Sequence, residues 1–174
     1  LFKALFIFFV IINSLRASEY EITVLATNTA NFGGIGEWSF SALLESENET
    51  ILFDTGFDEN TVLHNANLLK KDLSRVEKVI LSHFHGDHTG GLIKLRQTYM
   101  EKNPNAFSRV FVAEGFFDQR YDEDGNLRGF IGGFNEVSRF KKEAQGLGIK
   151  FTILSDSYEI AENLVVSGPV LSLI

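Results

Sequence analysis

Three of the four histidines in this 174-residue chain lie in one hexapeptide, HFHGDH at residues 83–88. Residues 79–82 form a short apolar run that predicts a buried strand, and residues 89–92 lead into a stretch with helical spacing. We therefore expect the hexapeptide on a tight loop at the carboxyl end of a strand. In layered α/β proteins, ligands bind at that edge of the sheet.

The spacing within the hexapeptide predicts a metal site. His83 and His85 are two residues apart, so in an extended segment both side chains point the same way and can reach one ion. Gly86 permits a sharp turn, after which Asp87 and His88 face a second position nearby. Zinc, iron and manganese accept imidazole and carboxylate ligands. The alternative is a polar loop in which the histidines cluster by chance.

Composition indicates one globular domain, with 44% hydrophobic and 22% charged residues. The net charge of −7 and the lack of a basic cluster argue against a nucleic-acid partner and favour a small-molecule substrate. The chain has no cysteine, which excludes disulfides and thiolate metal ligands.

The N-terminus is expected to direct export. Lys3 is followed by an unbroken apolar run at residues 4–12, and small Ala17 offers a cleavage point. We expect residues 1–17 to be a signal peptide and residues 18–174 the domain, in a periplasmic or secreted protein. The alternative is an uncleaved anchor, which would be the protein's one contact with a membrane.

Alternation of apolar and polar residues predicts the other strands, and spacing of three and four predicts helices at residues 58–71, 92–100 and 137–145, the last capped by Gly146. The predicted strands cover residues 20–26, 38–44, 50–53, 79–82, 109–113, 149–154 and 158–166, with a break in the last at residues 162–163. Strands come first and then alternate with helices, which indicates a mixed α/β domain.

Several weaker motifs have plain interpretations. The glycines at residues 33–36 lack the lysine of a phosphate loop, so we expect a flexible loop bordering the cleft. His64 is expected to pack on the surface of a helix. Residues 122–125 are expected to form a solvated turn and not a calcium loop. The phenylalanines at positions 116, 117, 130 and 134 are expected in the core, with a substrate pocket as the alternative.

Two segments, ILFDTG at residues 51–56 and LSHFHGDHTGGL at residues 81–92, resemble the metallo-β-lactamase fold superfamily. The similarity extends from about Glu21 to the C-terminus. Residues 63–69 and 72–74 resemble one branch of it, named for dihydropterin–ribofuranosylaminobenzene phosphate synthase and also described as metal-dependent hydrolases.

The resemblance implies an αββα sandwich with two divalent metals at the sheet edge, of which this chain would form the N-terminal part. His83 and His85 would bind the first metal, and Asp87 and His88 the second. Asp54 would lie beside them and orient a ligand histidine. We expect zinc, with iron and manganese as alternatives.

The superfamily also draws metal ligands from later strands, and no histidine follows His88. Residues 167–169 resemble a point in the branch just before the third ligand motif. We therefore expect the chain to end before its ligand set is complete and to bind metal weakly by itself.

The implied activity is hydrolysis of an ester, a phosphoester or a pterin-related substrate. A metal-bound hydroxide would attack, and Asp87 would help to hold and orient it. Two alternatives remain open: an inactive metal-binding fragment or pseudo-enzyme, and a di-iron oxidoreductase of the same fold.

Overall fold

The fold is described from a computed structural model that covers residues 20–128, 131–134 and 136–170. The apolar N-terminal segment and Phe130 lie outside the described residues. Within them, every helix is too short or too polar to cross a membrane.

Ten strands and four α-helices make up the described part of the chain. The strands are β1 Glu21–Ala26, β2 Ser41–Glu45, β3 Thr50–Phe53, β4 Lys78–Ile80, β5 Arg109–Ala113, β6 Arg120–Tyr121, β7 Leu127–Arg128, β8 Lys150–Leu154, β9 Tyr158–Ala161 and β10 Leu164–Val166. The helices are α1 Thr61–Leu68, α2 Gly86–Thr89, α3 Leu92–Tyr99 and α4 Val137–Gly146, with a 3-10 helix at Leu73–Arg75.

Six strands form one mixed sheet in the order β1-β2-β3-β4-β5-β8. The first three pair as antiparallel neighbours, whereas β3, β4, β5 and β8 run parallel. Each parallel connection contains at least one helix, as parallel pairing requires. The predicted α/β class is therefore confirmed, and the carboxyl ends of β3, β4, β5 and β8 meet at one edge.

The two faces of this sheet are covered differently. The helices pack on one face over the main core, which contains the fully buried side chains of Leu43, Leu52, Val79 and Val110. The β9–β10 hairpin covers part of the other face, where Ile160 packs with a smaller apolar cluster. The described residues thus comprise a helix layer, the six-stranded sheet and the hairpin opposite.

Several predicted boundaries are wrong for local reasons. The helix predicted at residues 58–71 is shorter, because Asp58 forms a turn in which its carboxylate accepts from Asn60 N at 2.8 Å. The strand predicted from Trp38 starts only at Ser41. Gly146 is the last residue of α4 instead of its cap, and the left-handed residue that follows is Gly148, with φ +78°.

The turn between β9 and β10 is confirmed, with Asn163 at φ 61°. Residues 122–126 also form the predicted turn, since Asp122 Oδ1 accepts from Asp124 N and Asn126 N. The glycine loop after β1 is tied to α1, because Asn65 Oδ1 accepts from Ile35 N at 2.9 Å.

Two glycines let α2 and α3 pack tightly against the end of β3. A Cβ on Gly90 would lie 1.9 Å from the Phe57 carbonyl oxygen, and one on Gly91 would lie 2.3 Å from that of Thr55. Such contacts leave no room for a side chain. The segment carrying the histidines is therefore held against residues 55–57.

Gly90→Ala is expected to lower the free energy of unfolding by about 1–3 kcal/mol or more, because backbone must move to admit the methyl group. Gly146→Ala is the matched control, since nothing lies within 4 Å of a Cβ at that position. A helical glycine replaced by alanine gains up to about 1 kcal/mol. Urea unfolding of both variants measures the difference, and a Gly90→Ala variant as stable as the wild type contradicts this packing.

Candidate metal centre

The histidine loop lies at the carboxyl end of β4, at the sheet edge shared by the parallel strands. His85 has an extended backbone, with φ −61° and ψ 148°. The chain then turns into α2, which carries Asp87 and His88. The hexapeptide is thus half extended and half helical, which lets donors from consecutive residues converge.

Three side chains of this loop come close enough to share an ion. His83, His85 and Asp87 each offer one donor atom, and these atoms lie within 4.8 Å of one another. His88 is adjacent, with its Nε2 3.5 Å from Asp87 Oδ2 and its ring centroid 4.2 Å from that of His83. The three imidazoles and the carboxylate of Asp87 therefore form one cluster.

Asp54 lies behind this cluster and is 1% exposed. Its Oδ1 accepts from Ser82 N at 2.7 Å, and its Oδ2 accepts from Ser82 Oγ and from His88 Nδ1, each at 2.7 Å. A carboxylate can only accept hydrogen bonds, so His88 donates to Asp54 from Nδ1 and turns its Nε2 toward Asp87.

Ser82 links the Asp54 carboxylate to His83 and orients that ring as well. The sequence analysis did not predict this role. Its hydroxyl proton goes to Asp54, so its oxygen is left to accept from His83 Nδ1, which lies 3.0 Å away. That leaves Nε2 of His83 free of a proton. One buried carboxylate thus sets the tautomer of two histidines, directly for His88 and through Ser82 for His83.

The electrostatics of the cluster suit a metal ligand set. Burial, together with the neighbouring imidazoles of His88 and His85, lowers the pKa of His83 to about 4. Its ring is therefore neutral near pH 7, the form that binds metals. Burial also raises the pKa of Asp54 above its ordinary value, while the hydrogen bonds from Ser82 and His88 oppose that shift.

Backbone hydrogen bonds fix the loop from several directions. Thr55 N donates to His88 O at 2.7 Å, and Phe40 N donates to Asp87 O at 3.3 Å. Thr89 Oγ1 donates to His85 O at 2.9 Å and accepts from Gly132 N at 2.7 Å. The carbonyl groups of His85, Asp87 and His88 thus each accept a hydrogen bond, which fixes the backbone of the loop.

A cleft of about 550 Å³ opens beside His83. Its floor is apolar and includes Phe53, Phe111 and Leu154, and its rim carries Arg120. The Arg120 guanidinium lies 3.9 Å from the centroid of the Phe84 ring. A cleft of this size beside the donors could hold a small molecule.

Of the predicted phenylalanines, Phe116 is buried in the main core and also lines this cleft, while Phe117 and Phe134 pack against the core. His64 lies apart from the cluster as an exposed residue of α1, with its Nε2 2.7 Å from Gly33 O. Within the described ranges, the 83–85–87 cluster is the one group of three or more potential donors close enough to hold a metal.

Comparison with known proteins agrees with the two motifs. The sequence profile of the metallo-β-lactamase superfamily matches residues 39–104, which include both the Asp54 segment and the histidine loop. The chain is also similar in structure to Tm1679, which is described as a metal-dependent hydrolase of the β-lactamase superfamily. The superposition covers 87% of this chain and 48% of the Tm1679 chain. Its TM-score is 0.61 and the identity 29%.

Curated relatives come from archaea. An uncharacterized protein of Methanocaldococcus jannaschii is 30% identical over 84% of this chain and 52% of its own length. The 7,8-dihydropterin-6-methyl-4-(β-D-ribofuranosyl)-aminobenzene-5′-phosphate synthase of the same organism is 32% identical, over 59% of this chain and 38% of the enzyme. A ribonuclease Z of Thermococcus onnurineus is 34% identical, over 58% and 36%. The chain spans about half or less of the length of these relatives.

The resemblance drawn from the sequence is therefore confirmed, including a match to the named branch. The ligand assignments stay predictions.

Replacing His83 or His85 by Ala is expected to weaken zinc binding at least about tenfold, because each removes one of few nitrogen ligands. His64→Ala is the control and should leave the affinity unchanged. Titration calorimetry with Zn²⁺ at pH 7.5 measures all three variants. An equal loss in His64→Ala and His83→Ala would show that the cluster is not the binding site.

Asp54→Asn keeps the size of the side chain, but only one of its two terminal atoms can accept hydrogen bonds. His88 and Ser82 therefore lose their fixed orientation. We expect zinc affinity to fall about 10- to 100-fold. Asp124→Asn, in an exposed turn, serves as the matched control. Zinc titration combined with circular dichroism distinguishes misorientation from unfolding, and a folded Asp54→Asn variant with wild-type affinity contradicts the role of Asp54.

Proposed function

We propose that this chain, which carries a metallo-β-lactamase superfamily domain, forms part of a metal-dependent hydrolase acting on a small ester, phosphoester or pterin-related substrate. The observation that carries the proposal is the convergence of His83, His85 and Asp87, with donor atoms within 4.8 Å of one another and His88 beside them. The loop that holds them lies at a cleft large enough for a substrate.

The donor set fits a divalent metal of the zinc, iron or manganese type, since it combines neutral imidazoles with a carboxylate. His83 and His85 would hold one ion, with Asp87 and His88 toward a second. When bound, such ions acidify water and polarise the bond to be cleaved.

The chain's own residues position the reacting groups. Asp87 is half-buried, shares the donor cluster with His83 and His85, and would orient a water molecule and receive its proton. The cleft beside His83 would hold the substrate over an apolar floor, and Arg120 at its rim could pair with an anionic group. The pterin-related substrate is supported by the identity with the dihydropterin enzyme.

A nucleic-acid substrate is the competing possibility, because three of the matched relatives are ribonucleases Z. The net charge of −7 and the two acidic residues that line the cleft, Glu114 and Asp118, disfavour a polyanion here. The small-molecule proposal is therefore preferred. Export through the N-terminal segment is also proposed, on the pattern of residues 1–17.

The test is metal-dependent turnover by the full-length protein. After loading with Zn²⁺, we expect hydrolysis of 4-nitrophenyl acetate or bis(4-nitrophenyl) phosphate that stops on chelation and returns with added metal. Asp87→Asn should lower kcat/KM at least about 100-fold, within the range of acid–base groups. Asp156→Asn, exposed after β8, is the control and should keep full activity.

Turnover that survives chelation, or equal activity in Asp87→Asn, would contradict this function. Tight metal binding without turnover of any ester or phosphoester would favour the metal-binding pseudo-enzyme instead. Iron content with a visible absorption band would favour the di-iron oxidoreductase.

A further inference from the structure

We propose that Trp38 and Phe57 form an aromatic subsite that binds the apolar part of the substrate beside the histidine loop, an inference that rests on the proposed function. Trp38 is 77% exposed and Phe57 49% exposed. Together with His85 and Asp87 they line an open pocket of about 310 Å³. This pocket touches the loop at His85 and Asp87, whereas the larger cleft touches it at His83.

Exposure of one large apolar side chain needs no explanation, because such residues are common on protein surfaces. These two aromatic residues differ because their backbones are fixed. The carboxylate of Glu37, the residue before Trp38, accepts four hydrogen bonds. Its Oε1 accepts from Phe57 N at 2.8 Å and from Ser39 Oγ at 2.7 Å. Its Oε2 accepts from Asp58 N at 3.0 Å and from Thr61 Oγ1 at 2.8 Å.

Two glycines, Gly56 and Gly90, make room for these contacts. Gly56 has φ +75°, and a Cβ there would lie 2.8 Å from Glu37 Oε1, so the carboxylate needs a glycine beside it. Gly90 leaves room for the carbonyl of Phe57, as described above. Phe57 is therefore held at its N–H by Glu37 and confined at its carbonyl by Gly90. Trp38 lies between Glu37 and Ser39, whose side chains are hydrogen-bonded to each other.

The contents of the pocket follow from its size and neighbours. A cavity of roughly 150 Å³ can hold a benzene ring, so 310 Å³ accepts one ring or a short acyl chain. A protein partner would need a far larger surface. Because His85 and Asp87 line the same pocket, an apolar group stacked on Trp38 would sit next to an ion held by the histidine loop.

Each residue thus has a distinct part. Trp38 and Phe57 would contact the substrate and determine its preference for aromatic or acyl groups through ring packing. Glu37 is a positioning residue, which acts only by holding the two aromatic residues in place.

Two anionic probes test the subsite without turnover: phenylphosphonate and methylphosphonate, each added to the full-length, Zn²⁺-loaded protein. Trp38 is the sole tryptophan of these 174 residues. If it is also the sole tryptophan of the full-length protein, its emission reports directly on the pocket, and calorimetry gives both Kd values in either case. We expect phenylphosphonate to bind about tenfold more tightly and to shift the emission of Trp38, while methylphosphonate leaves the emission unchanged.

In Trp38→Ala, Phe57→Ala and Glu37→Gln, the preference should fall to about twofold or less, with the Kd of methylphosphonate unchanged. The control is Phe32→Ala, a fully exposed aromatic residue in the same β1–β2 connection that does not line the pocket. It should retain the tenfold preference.

Equal binding of both probes by the zinc-loaded wild type would overturn the subsite and leave the proposed function standing. A preference that persists in Trp38→Ala and Phe57→Ala would also overturn it and would place the ring in the cleft by His83. Failure of the protein to bind zinc at all would overturn the subsite and the proposed function together.

Discussion

The buried carboxylate of Asp54 is the interaction on which the candidate site depends. It joins the end of β3 to the start of the histidine loop through Ser82, and it reaches His88 across the turn made by α2. Burying a charged group without partners is costly, and here the hydrogen bonds to the carboxylate come from Ser82, which precedes the histidine loop, and from His88 within it. The same contacts that stabilise the carboxylate therefore fix which imidazole nitrogens face outward.

The site could be predicted from sequence where its signal is local. A run of histidines after an apolar strand identifies the loop, and an aspartate at the end of another strand identifies Asp54. Ser82, Glu37 and Trp38 could not be found in this way, because their roles arise from partners that are distant in sequence or from tertiary packing, such as Glu37 with Phe57 and Asp58. The start of α1 was missed for a different, local reason: Asp58 forms a turn with Asn60, and apolar periodicity does not register such a turn.

The loop lies between two unlike surfaces. On the His83 side is a cleft with an apolar floor and the cation of Arg120, and on the His85 side are Trp38 and Phe57. Metal ligands of the loop would fix the reacting group, while the cleft on one side and the aromatic pocket on the other would distinguish substrates. This division matches a superfamily domain whose relatives include both a pterin-related enzyme and a ribonuclease. One fold can carry such different functions, because function depends on the residues of the site and not on the fold itself.

The most direct measurement is anomalous diffraction at the zinc absorption edge from crystals of the zinc-loaded protein. We expect a peak at the loop, about 2.0–2.2 Å from one nitrogen each of His83 and His85 and close to an oxygen of Asp87. His88 should keep its Nδ1 on Asp54 in the same map. A zinc peak at His64 or at the turn near Asp122, with none at the loop, would contradict the central claim.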